Sequence, residues 1–144
     1  MALTLAGYFI SVKLFLNNAL PNVPCSMEIT HGEFINDQYN HYQFNGSITL
    51  WLKSNMITIF GVYDTRDGKK QLNRSLMLER VSKQANVLTA YVKAANIAPG
   101  DELHDIGNFF AAKDQSLTFH FHEIKRGEYL VMINNNWVSL CKEH

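Results

Sequence analysis

A period-2 alternation of apolar and polar residues begins at Cys25 and recurs in short runs as far as Cys141. No other feature restricts the fold as much. Successive side chains of a strand point to opposite faces, so Cys25, Met27 and Ile29 share one face and Ser26, Glu28 and Thr30 the other. His31-Gly32 interrupts this run before Phe34-Ile35, and Asn36-Asp37-Gln38 separates it from a run over residues 39–44. Asn45-Gly46 reads as a hairpin turn into residues 47–53, where Ile48, Leu50 and Leu52 fall on one face. Ser54-Asn55 then turns the chain into residues 56–63, and a polar loop centred on Asp67-Gly68 precedes strands over 71–81 and 87–95. Pro99-Gly100 breaks the pattern. Leu103, Ile106, Phe109 and Phe110 then recur at helical spacing, which predicts a helix over 102–112 with Asp101 as its N-cap. Strands over 117–123, 129–133 and 137–141 complete the series, joined at Lys125-Arg126-Gly127 and Asn134-Asn135-Asn136. The prediction is a mainly β chain with minor α content. Its antiparallel meander forms a small lipocalin-like barrel or a strongly curved sheet, with one short helix and an N-terminal apolar helix.

Several of these runs are apolar on both faces. Trp51 lies opposite Ile48 and Leu50, Phe60 and Val62 lie opposite Ile57 and Ile59, and Tyr129 and Val131 lie opposite Leu130 and Met132. A free-standing antiparallel sheet has a polar outer face. Trp51, Phe60, Val62, Tyr129 and Val131 are therefore a candidate face for a partner chain or a lipophilic ligand. Coverage by the predicted helix or by the N-terminal segment accounts for the pattern equally well.

That N-terminal segment contains Leu3, Leu5, Phe9, Ile10, Leu14, Phe15 and Leu16, and ends at Asn17-Asn18 and Pro21. It is shorter than the roughly 20 residues of a full membrane span. Lys13 sits close enough to its end to snorkel toward an interface. It has no basic leading region and no small-residue cleavage site, so a removable signal peptide fits poorly. Two readings stand: a single-pass anchor over residues 1–20, and an amphipathic helix packed on the body. The body, residues 21–144, is one domain.

Cys25 and Cys141 open and close that body. They are either two reduced core thiols or a bridge that ties the first strand to the last. In the chain-entropy model such a bridge stabilises by roughly 4–5 kcal/mol, and it implies an oxidising compartment.

The chain's 13 Lys+Arg balance 13 Asp+Glu, which argues against electrostatic binding to nucleic acid. No nucleophile motif, phosphate loop, dinucleotide fingerprint or C-x-x-C is present, and neither Cys has an obvious His partner. His120 and His122 share a strand face in metal-binding spacing. That face lies opposite Leu117, Phe119 and Phe121, which makes them solvated histidines rather than ligands. The expectation is a non-enzymatic protein with no metal and no cofactor.

The order of features also carries a resemblance. An apolar anchor leads to an early Cys, a Gly46-Ser-Ile-Thr-Leu strand follows, and the chain ends in Gly127-Glu-Tyr-Leu-Val-Met-Ile and Trp137-Val-Ser-Leu-Cys141. In this the chain resembles the FidL-like family of small bacterial inner-membrane proteins over essentially its whole length. The resemblance implies a single-pass anchor in the inner membrane and a β-rich periplasmic domain stapled by Cys25 and Cys141. It also implies a role like that of the ToxS and VtrC partners of membrane-bound winged-helix transcription regulators. Such a co-sensor forms a heterodimer through periplasmic domains and senses a lipophilic signal such as a bile salt. The alternative is a self-contained lipocalin-like module that binds a small ligand.

Overall fold

The computed structural model describes residues 20–35, 41–66, 68–102, 113–135 and 137–144. The apolar segment before Leu20 and residues 103–112 of the predicted helix lie outside them.

Among the described residues eight strands follow one another: β1 (Cys25–Ile35), β2 (His41–Trp51), β3 (Met56–Thr65), β4 (Gly68–Gln84), β5 (Val87–Ile97), β6 (Ser116–Lys125), β7 (Glu128–Ile133) and β8 (Trp137–Glu143). Each pairs antiparallel with the next, and β8 returns to β1, so the meander closes as a barrel. Closure leaves free sheet edges only where β1 and β8 do not pair, beyond Met27. The alternation sorts side chains as predicted: Ile48, Leu50, Ile57, Leu117, Phe119 and Phe121 are all buried in one interior cluster. His120 is half-buried on the outer surface and His122 is exposed there.

Asn45-Gly46 is not a turn. Both residues lie inside β2, and Gly46 pairs directly with Gly61 of β3. The two glycines are there because the facing backbone and the Phe44 ring together occupy the space that inward Cβ atoms would need. A Cβ at Gly61 would stand 2.4 Å from Phe44 Cε2, and one at Gly46 would stand 2.2 Å from the Phe60 carbonyl oxygen. Asn45 has a separate use: its Oδ1 accepts the His31 backbone N–H at 2.8 Å.

A short 3-10 turn over Leu52–Ser54 joins β2 to β3, with Asn55 in the left-handed region at φ 50°. β4 and β5 run past this level as a long hairpin, bent by irregularities between Met77/Leu78 and Glu79/Ser82. At the barrel's other end the chain after β5 lies along β4, where Ala98 N–H donates to the Asn73 carbonyl and Glu102 N–H to that of Gln71. Asp101 is thereby brought against Arg74, which its position between Leu72 and Leu76 turns inward. Arg74 Nε donates to Asp101 Oδ2 at 2.9 Å and Nη2 to Oδ1 at 3.3 Å. Asn73 N–H adds a third bond to the same carboxylate at 3.0 Å.

Candidate partner site at the barrel seam

β1 and β8 are the last strands to meet. They pair at Cys25↔Glu143, Ser26↔Lys142 and Met27↔Cys141, and the pairing stops there. Cys25 and Cys141 are joined across this short ladder, with Sγ–Sγ 2.11 Å and Cα–Cα 5.5 Å, and both are fully buried. On the outer side Ser26 Oγ lies 2.8 Å from Thr49 Oγ1 and 2.5 Å from His144 Nε2. His144 N–H donates to the Pro24 carbonyl. The seam is thus held at one end by a covalent bond and a cluster of polar contacts.

Beyond Met27 the two strands separate. The β1–β2 register shifts between Ile29 and Gly32, where His31 has φ 57°. Such a bulge bends its strand and raises local twist, which carries β1 with β2 and away from β8. The result is an open cleft of about 360 Å³ lined by Glu28, Ile29, Thr30, Gly32 and Glu33 on one side and Trp137, Val138 and Ser139 on the other. The outer surface beside it is apolar: Leu130, Val138 and Leu140 are 41%, 57% and 37% exposed. Leu130 pairs with Leu140, and Met132 with Val138.

The five residues predicted to form an uncovered face divide between the two surfaces. Trp51, Phe60 and Val62 point outward and are exposed. Trp51 Nε1–H donates to Thr58 Oγ1 at 3.0 Å, which ties the indole to the outside of β3. Tyr129 and Val131 point inward, 4% and 0% exposed, and belong to the core. The register explains this: Val131 pairs with the buried Phe121, whereas Leu130 pairs with the outward His122. In β7 it is Leu130 and Met132 that face outward, beside Leu140 and Val138 of β8, where the sequence pattern offered Tyr129 and Val131. The predicted anchor residues Leu3 to Leu16 fall outside the described residues.

Burial perturbs two tyrosines. The Tyr129 hydroxyl is pushed up to about 12 by desolvation, with Glu143 and Glu123 adding to the shift. It donates to Glu143 Oε1 at 3.2 Å. Tyr63 is raised further still, chiefly by burial, with Arg74 opposing and Asp101 reinforcing. Its ring packs 5.0 Å from that of Phe44 and edge-on to Tyr42 at 6.4 Å. Both phenols are therefore neutral at physiological pH.

Among the described residues no group of three or more His, Cys, Asp or Glu is arranged to hold a metal ion. Among the same residues no helix is long and apolar enough to cross a membrane. No protein-family profile, curated protein or solved structure matches the chain.

Proposed function

We propose that this chain is a non-enzymatic partner subunit, held at the inner membrane by its N-terminal apolar segment, with its barrel in the periplasm. There it would associate with the periplasmic domain of a membrane-bound transcription regulator, the role implied by its resemblance to the FidL-like family. The observation that carries this reading is the half-open seam. Two strands approach antiparallel, pair over three positions and then part, which leaves backbone edges and an apolar flank side by side. An extended segment of a partner entering the cleft would satisfy those edges and cover Val138 and Leu140, the two-part recognition of strand addition. The bonded Cys25–Cys141 pair supports an oxidising compartment.

Co-expression with the periplasmic domain of a regulator encoded beside this chain tests the proposal. The expected result is a heterodimer with a higher Tm than either component and amide protection over residues 28–33 and 137–139. Two monomers of unchanged stability contradict it.

The closed meander favours a second reading, a self-contained carrier for an apolar ligand. Its interior holds Phe44, Phe119, Phe121 and Tyr63 fully buried, so a ligand inside would have to displace large side chains. A lipophilic probe that binds the isolated full-length monomer and shifts the signals of these aromatics would favour this reading over partner capture.

A further inference from the structure

The two margins of the open seam differ in chemistry. On the β8 side the outward residues are Val138 and Leu140, both exposed. On the β1 side the cleft is lined by Glu28 and Glu33, also exposed. These two are five apart in sequence, which in a regular strand sets side chains on opposite faces. The bulge between Ile29 and Gly32 takes up the odd residue. Their partners on β2 are Ser47 and Gln43, four apart, so both carboxylates share the outer face. Four strand residues put their Cα atoms about 13 Å from each other, too far to hold one metal ion between them.

No cation of the described chain answers them. The strands that flank the seam, β1 and β2 on one side and β7 and β8 on the other, contain a single Lys or Arg, Lys142. Lys142 stands opposite Ser26, where the seam is closed, with its ammonium 3.8 Å from Glu128. Across the sheet from Glu33 the outward row runs Gln43, Asp64, Lys69, so Lys69 lies beyond another carboxylate. The joining segments Asn36-Asp37-Gln38-Tyr39-Asn40 and Asn134-Asn135-Asn136 have neither Lys nor Arg. Glu28 and Glu33 make no ion pair among the described residues, the exposed His31 on the bulge between them included.

We propose that the partner segment entering the seam is a strand with Lys or Arg at two positions four apart, selected by Glu28 and Glu33. This rests on the strand-addition reading above and gives the partner's segment its chemistry. Strand positions four apart lie on one face at the spacing of the two glutamates, whichever way the segment runs. An outward side chain of that strand meets Val138 or Leu140 on one flank and a carboxylate on the other. A lysine or arginine suits both, because its aliphatic stem covers apolar surface while its charged head reaches the carboxylate. Opposite charges facing across strands stabilise the pairing, and like charges oppose it. The alternate positions of the segment face Ile29 and Trp137, which pack on the core, and call for apolar residues. A second copy of this chain is a poor occupant: a two-fold pairing of two open β1 edges sets their glutamates against one another.

The test titrates the full-length chain in a non-ionic detergent with the end-capped peptide Thr-Val-Lys-Val-Thr-Val-Lys-Val-Thr, whose lysines are four apart on one face. The same peptide with Glu in place of Lys is the comparison. Both carry a neutral fluorophore, and binding is read by anisotropy and by amide exchange over residues 28–33 and 137–139. The lysine peptide should protect both stretches and bind at least tenfold more tightly than the glutamate peptide. That preference should shrink in about 0.5 M salt and vanish in E28Q/E33Q. In E28K/E33K it should reverse, a change of sign that loss of fold does not produce. Equal affinity for the two peptides, with the cleft protected by both, overturns the charge selection and leaves strand addition standing. Protection by neither peptide overturns strand addition itself, and the selection with it. Protection of residues 28–33 that rises with protein concentration before any peptide is added assigns the edge to a second copy and also overturns the proposal.

Discussion

The β2–β3–β4 ladder and the β1–β8 seam solve the same pairing problem with unequal means. β2 and β3 pair without interruption from Gln43↔Asp64 to Trp51↔Met56, and β3 and β4 from Met56↔Met77 to Thr65↔Gly68. Each of these pairings grows outward from a short connection, so the entropy lost in bringing the strands together is small. The seam joins residues 116 apart in sequence, pairs over three positions and carries a disulfide. Where closure is remote, backbone pairing is short and a covalent bond takes over its role. The rest of the seam is then free to stay open.

The comparison predicts where the molecule is weakest. Replacing both cysteines by serine removes a loop constraint worth roughly 4–5 kcal/mol in the chain-entropy model. Urea unfolding of C25S/C141S against the parent should show a loss of that order, larger than any single truncation in the β2–β4 ladder. A loss below about 1 kcal/mol would mean that the three-pair ladder closes the barrel unaided. Next in size is the Arg74–Asp101 pair, which ties the chain after β5 to β4 with side-chain exposures of 7% and 0%. Asp101→Ala strands a buried guanidinium and should cost about 3–5 kcal/mol, while the volume-matched R74M/D101L variant recovers much of it. Inside the ladder, Gly61→Ala sets a methyl against the Phe44 ring and the Asn45 carbonyl oxygen and should cost about 1–3 kcal/mol, of which adding Phe44→Leu relieves only the part due to the ring.

The smallest effect is one of pH. Tyr129 pairs with Cys141 in the β7–β8 ladder and holds its proton to about 12 in the folded chain, against an ordinary value of 10.0. Its contribution is complete below about pH 10 and is lost as pH rises from there toward 12, because the unfolded chain releases the proton first. Unfolding followed between pH 8 and 12 should show this decline, and Tyr129→Phe should make it shallower while Tyr63, raised further by burial, supplies the rest.

Much of the barrel is legible in the alternation itself. Ile48, Leu50, Leu117, Phe119 and Phe121 are buried as their spacing predicts, and His120 and His122 lie on the other side. The exceptions have physical causes. Asn45-Gly46 has the composition of a turn, and it is the close approach of the β3 backbone at Phe60 and Gly61, together with the Phe44 ring, that requires glycine in a strand there. In β7 both faces are apolar, so period 2 separates Tyr129 and Val131 from Leu130 and Met132 without saying which pair is inside. Pairing with β6, whose histidines mark its outer face, decides it. Arg74 could have been noticed, since it stands between Leu72 and Leu76 at inward spacing; its partner Asp101, 27 residues on, could not. The seam was the least legible of all. Closure and its failure beyond Met27 depend on accumulated twist and on the bulge at His31, neither of which periodicity encodes.

Native-state hydrogen exchange on the free full-length chain tests the central claim most directly, because it reads the seam and the ladder in one experiment. Amides of residues 28–33 and 137–139 that face the cleft should exchange at nearly unprotected rates, while those shared by β2, β3 and β4 exchange only through global unfolding. Reduction of Cys25–Cys141 should extend the fast region to residues 25–27 and 141–143 before it reaches the ladder. Uniform protection around the barrel, unchanged by reduction, would contradict a half-open seam held by its disulfide.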